Sequence, residues 1–145
     1  MSFPFPLLPK PLRWAGVGII MAIIFYGSLV TVPETVVDEA QPGFAPLHYW
    51  RHFVAYAALA GALAYASDNW RLTRWKHAAF VIALTAMYGI SIEFAQSFVP
   101  HRTDFLITDV LMNTVGAGCV LVWYAIRPAL NLRSITAWVS EIRGG

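Results

Sequence analysis

Long runs of this chain carry no charge, and its charged residues gather in short clusters between those runs. The first run extends from about Trp14 to Val32. The second begins near Leu47 and ends near Ser67, with Arg51 and His52 in its first turns. The third lies between His77 and Arg102 and holds Glu93 as its single charge. The fourth runs from about Asp109 to Ile126, with Asp109 at its edge. A bilayer selects this arrangement, because ~20 apolar residues are needed to cross its hydrocarbon core as a helix. Composition points the same way. Of the 145 residues, 58% are hydrophobic and only 12% are charged, which leaves too little polar surface to cover a soluble domain.

A spanning backbone must satisfy its own hydrogen bonds, so these segments should be helices; a barrel would need alternating polarity, which none of them has. The expected fold is therefore all-α, a polytopic membrane bundle of four transmembrane helices at about 14–32, 47–67, 78–99 and 109–126. It forms one domain over 1–145. Beyond Pro128, Ile135, Trp138, Val139 and Ile142 recur at i, i+3, i+4 and i+7, which predicts a short amphipathic interfacial helix over about 130–142. The start, with Pro4, Pro6, Pro9 and Pro11, reads as an irregular lead-in. The first span exceeds a usual signal-peptide core and lacks a small-x-small cleavage site, so it reads as a retained helix. Cys119 is the single cysteine, which excludes an intramolecular disulfide and a cysteine–metal cluster.

Lysine and arginine placement sets the expected direction. Lys10 and Arg13 precede the first span, Arg71, Arg74 and Lys76 separate the second from the third, and Arg127, Arg133 and Arg143 follow the fourth. The opposite side holds Arg51 and Arg102, with Glu34, Asp38 and Glu39 in its first loop. The expected localisation is a multi-pass cell-membrane protein with both ends in the cytoplasm. Trp14, Trp70, Trp75, Trp123 and Trp138 near the inner ends, with Tyr49 and Trp50 at the outer end of span two, fit interfacial belts.

With that direction, polar residues converge at one depth. His52 and Tyr56 share a helical face, as do Glu93 and Gln96, and Asp109 and Asn113. At ~1.5 Å rise per residue, all six lie within roughly 10 Å of the outer boundary. Gly116 continues the Asp109–Asn113 face and would let a neighbouring helix approach closely; Gly89 and Gly118 read as packing positions too. The connection between Pro100 and Thr108 adds His101, Arg102 and Asp104. A lipid-facing carboxylate costs ~3 kcal/mol on insertion scales, so Glu93 should face inward toward Arg102, Arg51 or His52. Simpler readings accompany each residue. Gln96, Asn113 and Tyr56 are suited to interhelical hydrogen bonding, Asp109 or Thr108 to a helix cap, and Arg51 to snorkelling.

The pattern Glu93-x-x-Gln96-x-x-x-Pro100-x-Arg102, then Asp109-x-x-x-Asn113-x-x-Gly116, preceded by His52-Phe53-x-x-Tyr56, resembles the VanZ-like family of small membrane proteins. The resemblance spans about residues 47–120. It implies a compact multi-helix membrane domain; the family's founding member is associated with low-level resistance to teicoplanin, and no reaction is established for the family. Members often carry Asp-Lys ahead of the histidine, where this chain has His48 and Tyr49.

Four functions suit these residues. The first is an outer-leaflet site for a lipid with an anionic or glycosylated headgroup, such as a polyprenyl-linked cell-envelope precursor. Arg102 and Arg51 would contact phosphate, and Gln96, Asn113, Tyr56 and Asp104 would complete the site. The second is an enzyme acting on that lipid, with Glu93 as general acid or base and Asp109 or His52 as its counterpart. The third is a transporter, and the fourth a structural protein serving a membrane partner or its own oligomer. No cofactor is expected and no nucleic-acid partner is indicated. His52, Glu93, His101, Asp104 and Asp109 match no standard metal-ligand spacing, so no metal is expected.

Overall fold

The computed structural model describes residues 3–30, 47–99, 107–135 and 140. Helix α1 (Lys10–Phe25) begins after Pro9, with Pro11 inside the first turn, where a missing N–H costs nothing and the fixed φ suits the helix. It continues as a π-helical turn over Tyr26–Val30. Helix α2 spans Leu47–Ala66 and α3 spans Arg74–Gln96. Helices α4 (Ile107–Gly118) and α5 (Val120–Ile126) follow one another through a tightened turn at Cys119, whose N–H bonds to the Gly116 carbonyl at 3.0 Å. A 3-10 turn over Arg127–Ala129 ends the rod.

Three of these segments, Lys10–Val30, Arg74–Gln96 and Ile107–Ala129, are long and apolar enough to cross a membrane. Helix α2 has 20 residues and a more polar first half, and it lies at the centre of the bundle, touching every other helix. Each buried face follows helical spacing. On α2 it is Tyr56, Leu59, Ala60, Leu63 and Ala64; on α3 Val81, Thr85, Gly89, Ile92 and Glu93; on α4 and α5 Asp109, Asn113, Gly116, Ala117, Val120 and Tyr124. The faces turned outward are apolar as well, with Ile19, Ile23, Met87, Phe94, Leu111, Val115 and Val122 exposed. A surface of that kind is suited to lipid and not to water. The small residues on the inner face of α2 let its neighbours pack closely.

Two expectations are corrected at the chain ends. Strand β1 (Phe3–Leu7) replaces the irregular lead-in, and strand β2 (Leu130–Ser134) replaces the start of the expected interfacial helix; the two pair in parallel with Phe3 opposite Leu130. Trp138, Val139 and Ile142 lie outside the described residues. Prolines survive in β1 because Pro4 and Pro6 are two apart, so both point their missing N–H to the same edge. That edge faces away from β2 and toward Tyr65, whose O–H donates to the Pro6 carbonyl at 2.9 Å and accepts from the Leu8 N–H at 2.8 Å. The helical repeat itself begins only at Ile135, and Ile135 and Ser140 are helical; residues 130–134 carry none of that repeat and pair instead with a segment more than 120 residues away in sequence.

The same end of the bundle gathers the polar ties that hold its helices together. The buried Arg13 donates through Nη1 to the Tyr65 and Ala66 carbonyls at 3.0 and 3.1 Å, satisfying the C-terminal end of α2. His77 Nε2–H donates to Ser67 Oγ at 2.7 Å across the α2–α3 turn. Arg127 grips both carboxylate oxygens of Asp68, with Nη2 donating to Oδ2 at 2.8 Å. This fork is partly exposed, so Asp68→Ala should destabilise the protein by about 1–2 kcal/mol. Arg127→Lys, which keeps the charge and loses the fork, should cause most of the same drop in melting temperature in detergent.

Candidate functional site

At the opposite end, α2, α3 and α4 bring a second polar group together. His52 comes from the early turns of α2, Glu93 from the last turn of α3, and Asp109 and Asn113 from the first turns of α4. His52 Nδ1–H donates to Asn113 Oδ1 at 2.9 Å. The same Nδ1 lies 3.8 Å from Glu93 Oε1, and Nε2 lies 3.7 Å from Asp109 Oδ2. Tyr56, one turn along α2, lies parallel to the His52 ring at 6.5 Å between centroids. All these groups except His52 are buried, with exposures of 2% for Glu93, 7% for Asp109, 1% for Asn113 and 1% for Tyr56.

Glycines open the space that this cluster occupies. A Cβ at Gly89 would meet Tyr56 Cε1 at 3.0 Å and Asn113 Nδ2 at 3.1 Å, so the absence of a side chain there seats both residues. A Cβ at Gly116 would strike the Phe53 carbonyl oxygen and lie 3.2 Å from the Ala57 nitrogen. Helices α2 and α4 therefore approach backbone to backbone one turn below the polar groups. Gly118, expected to pack likewise, has nothing within 4 Å of such a Cβ.

The cluster leaves polar atoms unsatisfied. Glu93 Oε1, Asp109 Oδ1, Asn113 Nδ2 and Tyr56 Oη are buried with no hydrogen-bond partner among the described residues. Buried polar groups normally have partners, and buried charges are paired or bind cations. The arrangement therefore presents two carboxylate acceptors beside the Asn113 amide N–H and the Tyr56 hydroxyl, with one imidazole between the carboxylates. One donor atom from each of His52, Glu93 and Asp109 lies within 4.8 Å of the other two, although their spacing in the chain resembles no standard ligand motif.

The expected site residues divide clearly. His52, Tyr56, Glu93, Asp109 and Asn113 come together. Gln96 turns away from them and donates through Nε2 to the Ser28 carbonyl at 2.9 Å, pinning the π-helical turn after α1. Arg51 is exposed and forms no ion pair among the described residues. Arg102 and Asp104 lie outside those residues. Tyr88 is a residue that sequence reasoning passed over. Its ring, on α3, lies 6.5 Å from Tyr56, and its O–H donates to the Met21 carbonyl of α1 at 2.8 Å, tying α3 beside the site to α1. The available signal was a tyrosine in mid-span, one position before a glycine.

The sequence model of the VanZ/LLP1 family matches residues 14–128, adding the first helix to the part of the chain that carries the resemblance. No curated protein and no solved structure matches the chain.

Proposed function

We propose, for a chain that belongs to the VanZ/LLP1 family of membrane proteins, that the cluster around His52 receives the headgroup of a membrane lipid, a glycosylated headgroup joined to its lipid through phosphate. The observation that carries this reading is the meeting of two buried carboxylates, Glu93 and Asp109, with Asn113 and Tyr56 between three helices at one end of the bundle, each with a polar atom that has no hydrogen-bond partner among the described residues. Ionised carboxylates are acceptors only, and sugar hydroxyls are the donors that satisfy them. Arg51, exposed on the same helix as His52, and Arg102 in the adjoining connection would contact the phosphate, with Asp104 beside them. Helices α1, α2 and α3, and α4 continued by α5, would be the four bilayer spans.

Basic residues accumulate at the far end, where Arg13, Arg74, Lys76 and Arg127 lie, so that end takes the cytoplasmic side and the site opens to the outer leaflet. Polyprenyl-linked cell-envelope precursors have this chemistry and occur on that side.

The test is native mass spectrometry of protein purified gently from its own membrane, comparing wild type with Asn113→Leu, Glu93→Gln and Arg102→Ala. A phosphate-linked glycolipid should be enriched in wild type and fall by ~10-fold or more in each variant, the loss expected for one hydrogen bond to a charged or buried partner. Bulk phospholipid alone in every sample would end the reading. If Glu93→Gln keeps the lipid but loses cellular function, Glu93 acts on the headgroup as acid or base, and the protein is an enzyme.

A further inference from the structure

The geometry points to a divalent transition-metal ion held by His52, Glu93 and Asp109, one ligand from each of α2, α3 and α4. Two independent features carry this. The first is the donor set itself, whose three ligand atoms lie within 4.8 Å of one another. Bonds of ~2.0–2.2 Å to nitrogen and oxygen put neighbouring ligand atoms roughly 3 Å apart and opposite ones roughly 4.2 Å apart, so a small contraction would close the site. The second is that Glu93 Oε1 and Asp109 Oδ1 are deeply buried and find no donor among the described residues. With both carboxylates ionised, a protonated His52 offsets only one of the two negative charges. A divalent ion offsets both and takes the free lone pairs.

The histidine is already arranged for this. Asn113 Oδ1 accepts from Nδ1–H at 2.9 Å, which leaves Nε2, 3.7 Å from Asp109 Oδ2, as the nitrogen with a free lone pair. A hydrogen bond at the other ring nitrogen is what commonly orients a ligating imidazole. One imidazole and two carboxylates suit Zn2+ or Mn2+; no thiolate is near to favour a softer ion, since Cys119 lies on an exposed face of the α4–α5 turn. Three protein ligands also leave coordination positions open, as metal sites that engage a substrate do. An exogenous phosphate oxygen could fill one of them. That extension rests on the headgroup reading above, whereas the ion site itself does not.

The test uses full-length protein in detergent, stripped with chelator and titrated with Mn2+ alone. Electron paramagnetic resonance should count one bound Mn2+ per chain, with pulsed spectra showing imidazole nitrogen coupling that His52→Ala removes. Asp109→Asn and Glu93→Gln should weaken binding by at least the ~10–100-fold seen when an outer partner of a metal ligand is lost. Asp68→Asn, at the other end of the bundle, should leave it unchanged. Saturating Zn2+ should raise the melting temperature of wild type and not of the ligand variants, which shows binding by a readout separate from folding yield. The proposal is overturned if folded wild type binds no stoichiometric Mn2+, or if the ligand variants bind as tightly as wild type. It is equally overturned if Mn2+ binds only after Arg102→Ala, because the arginine would then be the cation that occupies the site. None of these readouts requires lipid, so failure here leaves the headgroup reading to its own experiment.

Discussion

Gly116→Val is expected to prevent the bundle from closing, with loss of most folded protein from detergent extracts. The first added carbon would land on the Phe53 carbonyl oxygen, with the Phe53 carbonyl carbon at 3.1 Å and the Ala57 nitrogen at 3.2 Å. All three are backbone atoms of α2, so no side chain can rotate away. Overpacking a core against movable side chains costs ~1–3 kcal/mol. Against a rigid helix backbone, more than about 3 kcal/mol is expected, which is a large share of a typical domain's stability. Gly116→Ala should already lower the melting temperature. Gly118→Ala is the matched control, because nothing lies within 4 Å of its added carbon. There alanine's better helix propensity should leave stability unchanged or raise it by up to ~1 kcal/mol. Equal stability of the two alanine variants would show that α2 and α4 are not in backbone contact.

Glu93→Gln is expected to act in the opposite direction on stability while abolishing function. Measured in chelator, the variant should melt higher than wild type by an amount corresponding to ~1–3 kcal/mol. Wild type holds two buried carboxylates around one imidazole, and Glu93 Oε1 has no hydrogen-bond donor among the described residues. Removing the Glu93 charge leaves His52 still facing Asp109, so no new unpaired charge is created. A site arranged for a ligand is commonly a place where stability has been given up. A lower melting temperature for Glu93→Gln would mean that the Glu93–His52 pair is a structural tie and not a vacancy for a ligand.

The two variants bear on different parts of the same arrangement. Gly116 governs whether α2 and α4 come close enough for His52 to reach Asp109 and Asn113. Glu93 governs what the resulting cluster attracts. Cellular function should therefore be lost in both, but only Gly116→Val should also lose the Tyr88–Met21 and Gln96–Ser28 ties that fasten α3 to α1. Crosslinking between cysteines placed on α1 and α3 would separate these two routes to inactivity.

Much of this was legible before any coordinates. That His52 pairs with Tyr56 on one face, and Asp109 with Asn113 and Gly116 on another, follows from the helical repeat alone, which is a local property of each segment. That Glu93 turns inward follows from the cost of a carboxylate against lipid. Gln96 shows where such reasoning stops. It shares a helical face with Glu93 by spacing, yet its amide reaches the Ser28 carbonyl, because the π-helical end of α1 packs beside the last turn of α3. The strand pair at the chain ends is the same lesson: the helical repeat at and beyond Ile135 says nothing of residues 130–134, whose strand β2 is decided by its pairing with β1.

The sequence by itself determined the apolar segments and the polar stripes on them, since each depends on periodicity and on transfer from water to lipid within one stretch of chain. Only the tertiary structure decided that one atom each from His52, Glu93 and Asp109 would meet within 4.8 Å, that Gly89 and not Gly118 makes room for neighbours, and that Tyr88 beside the cluster ties α3 to Met21 of α1. Those outcomes depend on the rotation and sliding of one helix against another. The physical reason is that such placements are set by contacts between residues far apart in the chain, which no local repeat encodes.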